Sequence, residues 1–168
     1  MDRLWTPWRY RYVSALSDKS PSKACVFCIQ PAANDDERHF IVLRAKRNFV
    51  MLNLYPYTNG HLLIAPYEHV DKLADAHPDT LTEMMSLAVH CEVALRKLYN
   101  PDGINLGMNL GEAAGAGVAG HIHMHMLPRW SGDGSFMATV AETRVLPEEL
   151  SVTYKRLKAA LDALMMQS

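Results

Sequence analysis

The chain has no apolar run approaching the roughly 20 residues of a membrane-spanning helix, and its first residues, MDRLWTPWRYRYV, lack the apolar core of a signal peptide. These absences make a cytoplasmic protein the expectation. A dominant charge is also missing, because 17 Lys and Arg intermix with 18 Asp and Glu to leave a net charge of −1. No global field would hold such a chain on nucleic acid or an anionic membrane, so neither is expected as a partner, and a polyanionic ligand must be held by local groups. Cysteine is scarce and odd in number. Cys25 and Cys28 form a close C-x-x-C pair that reads as a metal half-site or a redox motif rather than a structural disulfide, whereas Cys91 lies in a helical pattern as a buried apolar residue. Internal repeats and low-complexity segments are absent.

What remains is 168 residues, 49% hydrophobic, the size of one domain with a substantial core. Residues 1–22 read as an aromatic arm and a polar linker, and residues 23–168 as a single domain. Residues 30–38 read as a loop. Short apolar runs at 39–43, 49–55 and 61–66, separated by turn residues, predict an antiparallel meander. Residues 70–73 predict a brief helical turn. Pro78 and Asp79 introduce a longer helix with Leu81, Met84, Met85, Ala88, Leu95 and Leu98 at helical spacing and a capping box at residues 80–83. Asn100, Pro101 and Gly103 stop it. Residues 104–110 alternate strictly, a strong strand signal, and residues 147–165 form a terminal amphipathic helix. The sum is an α+β domain, an antiparallel β-sheet of about five strands with two main α-helices.

The segment GEAAGAGVAGHIHMHMLPRW, residues 111–130, concentrates the chemistry. In an extended chain His121, His123 and His125 share one face while Ile122, Met124 and Met126 share the other; in a helix, residues two apart would scatter by roughly 200°. Three aligned imidazoles can bind metal or carry out nucleophilic and acid–base chemistry. The preceding glycines allow backbone N–H groups to approach an anion closely. Residues 115–120 spell G-x-G-x-x-G, but the motif opens a strand rather than a helix, which excludes a dinucleotide fold and with it a redox cofactor of that kind.

The run His121-Ile-His123-Met-His125-Met-Leu127 resembles the signature of the histidine triad (HIT) superfamily of nucleotide hydrolases and transferases. Asn53 and the following Asn59-Gly60-His61-Leu-Leu-Ile-Ala-Pro66, with Asn109-Leu-Gly111, resemble the remaining half-site. The start Leu4-Trp-Thr-Pro-Trp-Arg9 and the run GHIHMHMLPRWSGDGSFM resemble the branch containing diadenosine tetraphosphate phosphorylases. A HIT-like fold is thereby implied. The resemblance implies cleavage at the α-phosphate of a dinucleoside polyphosphate: His123 attacks to give a nucleotidyl-histidine, His125 serves the departing oxygen, and His61 contacts the phosphates. It places Gly117 and Val118 N–H groups on phosphoryl oxygens, Asn53 on the ribose, Met51 and Leu63 against the base, and Asn109 beside the phosphate chain. It also implies a structural zinc on Cys25, Cys28, His69 and His121, and a homodimer. His39, His77 and His90 have no such context and read as surface or packing residues.

Hydrolase branches carry a Gln-Ser or Gln-Thr pair in the loop before the triad. Here that loop reads Ala116-Gly117-Val118-Ala119, without a side-chain donor, which favours inorganic phosphate over water as the second attacking group. His125 stands where the hexose-phosphate uridylyltransferases of the superfamily have Gln, which disfavours transfer to a sugar phosphate. A purine nucleoside phosphoramidase and a non-catalytic nucleotide- or zinc-binding module remain as alternative readings.

Overall fold

The computed structural model describes residues 25–134 and 148–166. The expected arm and linker at 1–22, and the expected domain start at 23, lie outside them. A five-stranded antiparallel sheet runs β1 (Ile41–Arg44), β2 (Asn48–Leu52), β3 (Leu62–Pro66), β4 (Gly103–Met108) and β5 (Met124–Arg129), in the spatial order β1-β2-β3-β5-β4. Among the described residues three α-helices accompany it: α1 (Val26–Ala32), α2 (Pro78–Tyr99) and α3 (Leu150–Met165). The α+β architecture expected from the sequence is the one found.

Strands β2 and β3 are buried throughout, which explains why they read as continuous apolar runs. Their alternate residues serve two different cores. Val50, Leu52, Leu62, Ile64, Met124 and Met126 face α2 and α3, where Met84, Cys91, Leu95, Leu157 and Leu161 close the main core. On the other face Ile41, Phe49, Met51, Leu63 and Ala65 form a smaller cluster that Phe27 of α1 covers. Since Leu63 pairs with His125 across β3 and β5, the triad strand turns its methionines to the main core and His125 to the small cluster.

Several boundaries differ from the sequence expectation. A helix spans part of the stretch read as a loop, because its seven residues are too few to show a period and Pro31 near its end reads as a breaker. Arg44 at the end of β1 donates from Nη2 to the Pro31 carbonyl at 2.8 Å and pairs with Asp36, fastening α1 to the sheet. Helix α2 starts at Pro78, capped by the His77 side chain, which accepts from the Asp79 N–H at 3.1 Å. The expected capping box is therefore not the cap. Glu83 instead accepts from the Arg47 and Asn48 N–H groups and from Asn48 Nδ2, each at 2.8 Å, holding the β1–β2 turn to the helix. Strand β4 alternates in sequence but sits at the sheet edge, so Leu106 remains 44% exposed.

Candidate active site

The regular strand begins at Met124, so only His125 of the three triad histidines lies within β5. His121 and His123 precede it, in a segment tied elsewhere: the Ile122 N–H donates to the Val70 carbonyl at 2.8 Å. His121, Ile122 and His123 are all buried.

Hydrogen-bond partners assign a proton to each triad imidazole, because a carbonyl oxygen can only accept. His123 Nδ1 lies 2.8 Å from the His121 carbonyl and must donate to it, which leaves the lone pair of a neutral ring on Nε2. His121 Nε2 lies 2.9 Å from the Pro66 carbonyl and donates likewise, which leaves its lone pair on Nδ1. His125 is set by a relay. The Tyr57 N–H donates to His61 Nδ1 at 3.2 Å, so His61 Nε2 carries the proton and donates to His125 Nδ1 at 3.0 Å. His125 is left with an N–H at Nε2 for any ligand oxygen.

The electrostatics keep these rings neutral. Burial depresses the basicity of His121 and His123, only partly offset by their carbonyl partners. Burial also pulls His125 down to about 4, with the neighbouring His123 adding to the effect. Phe27 packs its ring 4.7 Å from that of His123 and 5.3 Å from that of His121, part of the desolvating wall.

Asn53 Nδ2 lies 3.3 Å from His61 Nδ1, and its Oδ1 accepts from the Tyr55 N–H at 2.9 Å, which ties the start of the 53–60 loop to the histidine cluster. Gly60 closes that loop at φ +74°, where a Cβ would meet Leu95 Cδ2 at 2.9 Å. Met51 and Leu63 lie in the small cluster under Phe27, 2% and 7% exposed. Val118 packs against the same cluster. Asn109 Nδ2 donates to the Gly115 carbonyl at 3.4 Å and so braces the glycine loop that holds Gly117. The glycine loop itself contains a short 3-10 turn, Glu112–Ala114, between Gly111 and Gly115, both at positive φ.

On the far side of His121 a second cluster forms. Cys25, Cys28, His69 and His121 offer four ligand atoms within 4.8 Å of one another. His121 Nδ1 lies 3.4 Å from Cys25 Sγ, 3.7 Å from Cys28 Sγ and 3.2 Å from His69 Nδ1, and Cys28 Sγ lies 3.3 Å from His69 Nδ1. A tetrahedron with bonds of about 2.0–2.3 Å has edges of about 3.3–3.8 Å, so the set could hold a tetrahedral metal ion. The Pro66 carbonyl turns the free nitrogen of His121 inward, the orientation a ligand needs. The structure thus brings together the four sequence-chosen ligands, and separately His61, His123 and His125. His77 caps a helix and His90 bonds the Ser86 carbonyl, both outside the site.

Sequence reasoning missed two participants, Phe27 and Tyr57. The tyrosine stacks parallel to His125 with ring centroids 6.4 Å apart and lies 4.8 Å from His61. Phe27, between the two cysteines, could have been singled out as an aromatic tied to the same half-site; nothing in the sequence marks Tyr57.

Comparison with known proteins bears on this geometry. Over 161 residues the chain is 34% identical to the AP-4-A phosphorylase of Mycobacterium tuberculosis, covering 94% of this chain and 83% of that protein. The asymmetrical bis(5'-nucleosyl)-tetraphosphatase of Schizosaccharomyces pombe is 30% identical over 95 residues, 56% of this chain and 52% of that protein. Among solved structures, a Zn-bound histidine triad family protein from Mycobacterium smegmatis superposes with a TM-score of 0.70 at 30% identity, covering 86% of this chain and 98% of that one. The HIT domain family matches residues 34–132, the span from the loop after α1 to the turn after β5 that carries all of the triad, and the chain belongs to that family.

Proposed function

We propose that the protein cleaves the α-phosphate linkage of a dinucleoside polyphosphate such as diadenosine tetraphosphate, with His123 as nucleophile. The observation that carries this reading is the 2.8 Å bond from His123 Nδ1 to the His121 carbonyl, which leaves Nε2 unprotonated in a ring that burial keeps neutral. Attack by Nε2 forms a P–N bond while the P–O bond to the departing polyphosphate breaks. The resulting nucleotidyl-imidazolium is cationic, and the His121 carbonyl already faces its Nδ1–H. The departing group is a polyphosphate anion, so it needs a hydrogen bond rather than a full proton. His125 Nε2–H supplies it.

Release requires a second attack, which breaks the P–N bond and returns the electron pair to Nε2. Inorganic phosphate arrives as an anion and needs no base, whereas water must surrender a proton. The loop Ala116-Gly117-Val118-Ala119 adds no side chain to take it, so phosphorolysis is the favoured course. Gly117 and Val118 N–H groups would meet the phosphoryl oxygens, His61 and Asn109 would border the phosphate chain, Asn53 would meet the ribose, and the base would lie toward Met51 and Leu63. Zinc on Cys25, Cys28, His69 and His121 would take no chemical part and would anchor the segment presenting His123. A homodimer completes the reading.

Product analysis with diadenosine tetraphosphate tests it. With inorganic phosphate the expected products are ADP and ATP; with water alone, AMP and ATP more slowly. His123→Asn should lower turnover by at least about a thousandfold while nucleotide still binds. No cleavage under either condition, or undiminished turnover in the variant, would sink the assignment.

A further inference from the structure

The 53–60 loop between β2 and β3 exposes three large side chains within four residues: Leu54 at 42%, Tyr55 at 68% and Tyr57 at 36%. Exposed aromatics grouped on one short loop mark a binding surface more often than a passive one. The loop is not loosely held. Asn53 Oδ1 takes the Tyr55 N–H, His61 Nδ1 takes the Tyr57 N–H, and Thr58 Oγ1 donates to the Pro128 carbonyl at 3.1 Å. Gly60 ends it at positive φ, where a Cβ would run into Leu95 and Tyr99. Such anchoring presents the aromatic rings with little ordering cost left for a ligand to meet.

The position of the loop points to its ligand. Tyr57 stacks against His125 and touches His61, and His125 Nε2–H is the group aimed at the departing oxygen. The cleavage reading places one base toward the small apolar cluster under Phe27, on the His123 side. A dinucleoside polyphosphate has a second base, attached to the group that departs past His125.

We propose that Tyr57, with Tyr55 beside it, is the stacking platform for the base of the departing nucleotide and so sets the preference for two-base over one-base polyphosphates. This inference rests on the cleavage reading above. Stacking is indifferent to the hydrogen-bonding edge of a base, so the platform accepts purines generally and favours the larger ring system. Any charge selection is left to the phosphate groups.

The test compares diadenosine tetraphosphate with adenosine 5'-tetraphosphate, which presents the same first nucleoside and a similar phosphate chain but no second base. Its readout is the ratio of kcat/KM for the two compounds, which cancels general damage to the histidines that Tyr57 touches. Tyr57→Ala should lower that ratio about five- to fifty-fold, chiefly through KM for the two-base compound, and Tyr57→Phe should restore it. Tyr55→Ala, at a mostly exposed position, should lower it less and in the same direction. A ratio unchanged in both alanine variants overturns the platform while leaving the cleavage reading intact. Wild-type protein that cleaves neither compound overturns the cleavage reading, and the platform with it.

Discussion

At the scale of single residues, the three triad histidines differ only in which nitrogen their neighbours occupy. His121 donates to the Pro66 carbonyl and keeps its lone pair on Nδ1; His123 donates to the His121 carbonyl and keeps its lone pair on Nε2; His125 accepts from His61 and keeps an N–H at Nε2. The last assignment has a pH consequence. The ring of His125 sits against His61, His123 and Tyr57 with its basicity pulled down to about 4 by burial and by His123. The unfolded chain binds a proton at this residue near pH 6.5, and the folded protein does not until about pH 4. Because the unfolded state binds more protons across that window, stability falls as pH drops from 6.5 toward 4, and the contribution is fully present above 6.5. Denaturant unfolding measured across this range should show that slope in the wild type and a shallower one in His125→Gln. Parallel slopes would show that His125 is not held neutral.

At the scale of elements, α1 is the part that the sequence left hidden. The C-x-x-C pair was legible as a half-site, and the resemblance named its partners, yet the helix carrying it was not, since a seven-residue segment ending in Pro31 offers no period. The meander, α2 and α3 were legible because each spans enough residues for alternation or a helical stripe to repeat. Strand β4 was legible as a strand and its exposure was not, because alternation reports which residues share a face and says nothing about whether another layer covers it. The beginning of β5 was misplaced for a related reason: the alternation in the sequence runs back to His121, while the Ile122 N–H bonds to Val70 instead of a ladder partner. Helix α1 depends on Arg44 at one end and on the two thiols at the other. Burial and Cys25 make Cys28 less acidic, and in the zinc reading proposed above the ion would displace the thiol protons and draw the cluster together. Protein purified without chelator should therefore contain one zinc per chain by elemental analysis, and Cys25→Ser combined with Cys28→Ser should abolish it. The loss should lower the thermal midpoint by at least about 5 °C. Metal content unaffected by the double change would remove zinc from this cluster.

At the scale of the whole molecule, the sheet ends on one side in β4, paired only with β5, and no described strand covers its outer edge. An open edge exposes a row of backbone donors and acceptors that another strand can complete. Leu106, opposite Met126 and so on the helix-covered side of the sheet, is nearly half exposed on this edge. Helix α3 packs on α2 and over β1, at the opposite end of the sheet, so it leaves β4 uncovered. On α2 the exposed residues Met85, Val89 and Val93 repeat every four positions, an apolar stripe on a helix whose other face already fills the core. In the homodimer proposed above, a two-fold axis would let β4 pair antiparallel with itself and would set Met85, Val89 and Val93 against their counterparts. Sedimentation or light scattering should accordingly give the mass of two chains at micromolar concentration. Leu106→Asp, or Val89→Glu, should shift it to that of one chain without loss of helical content. A wild-type protein that sediments as one chain at every concentration would mean that the β4 edge is left to solvent.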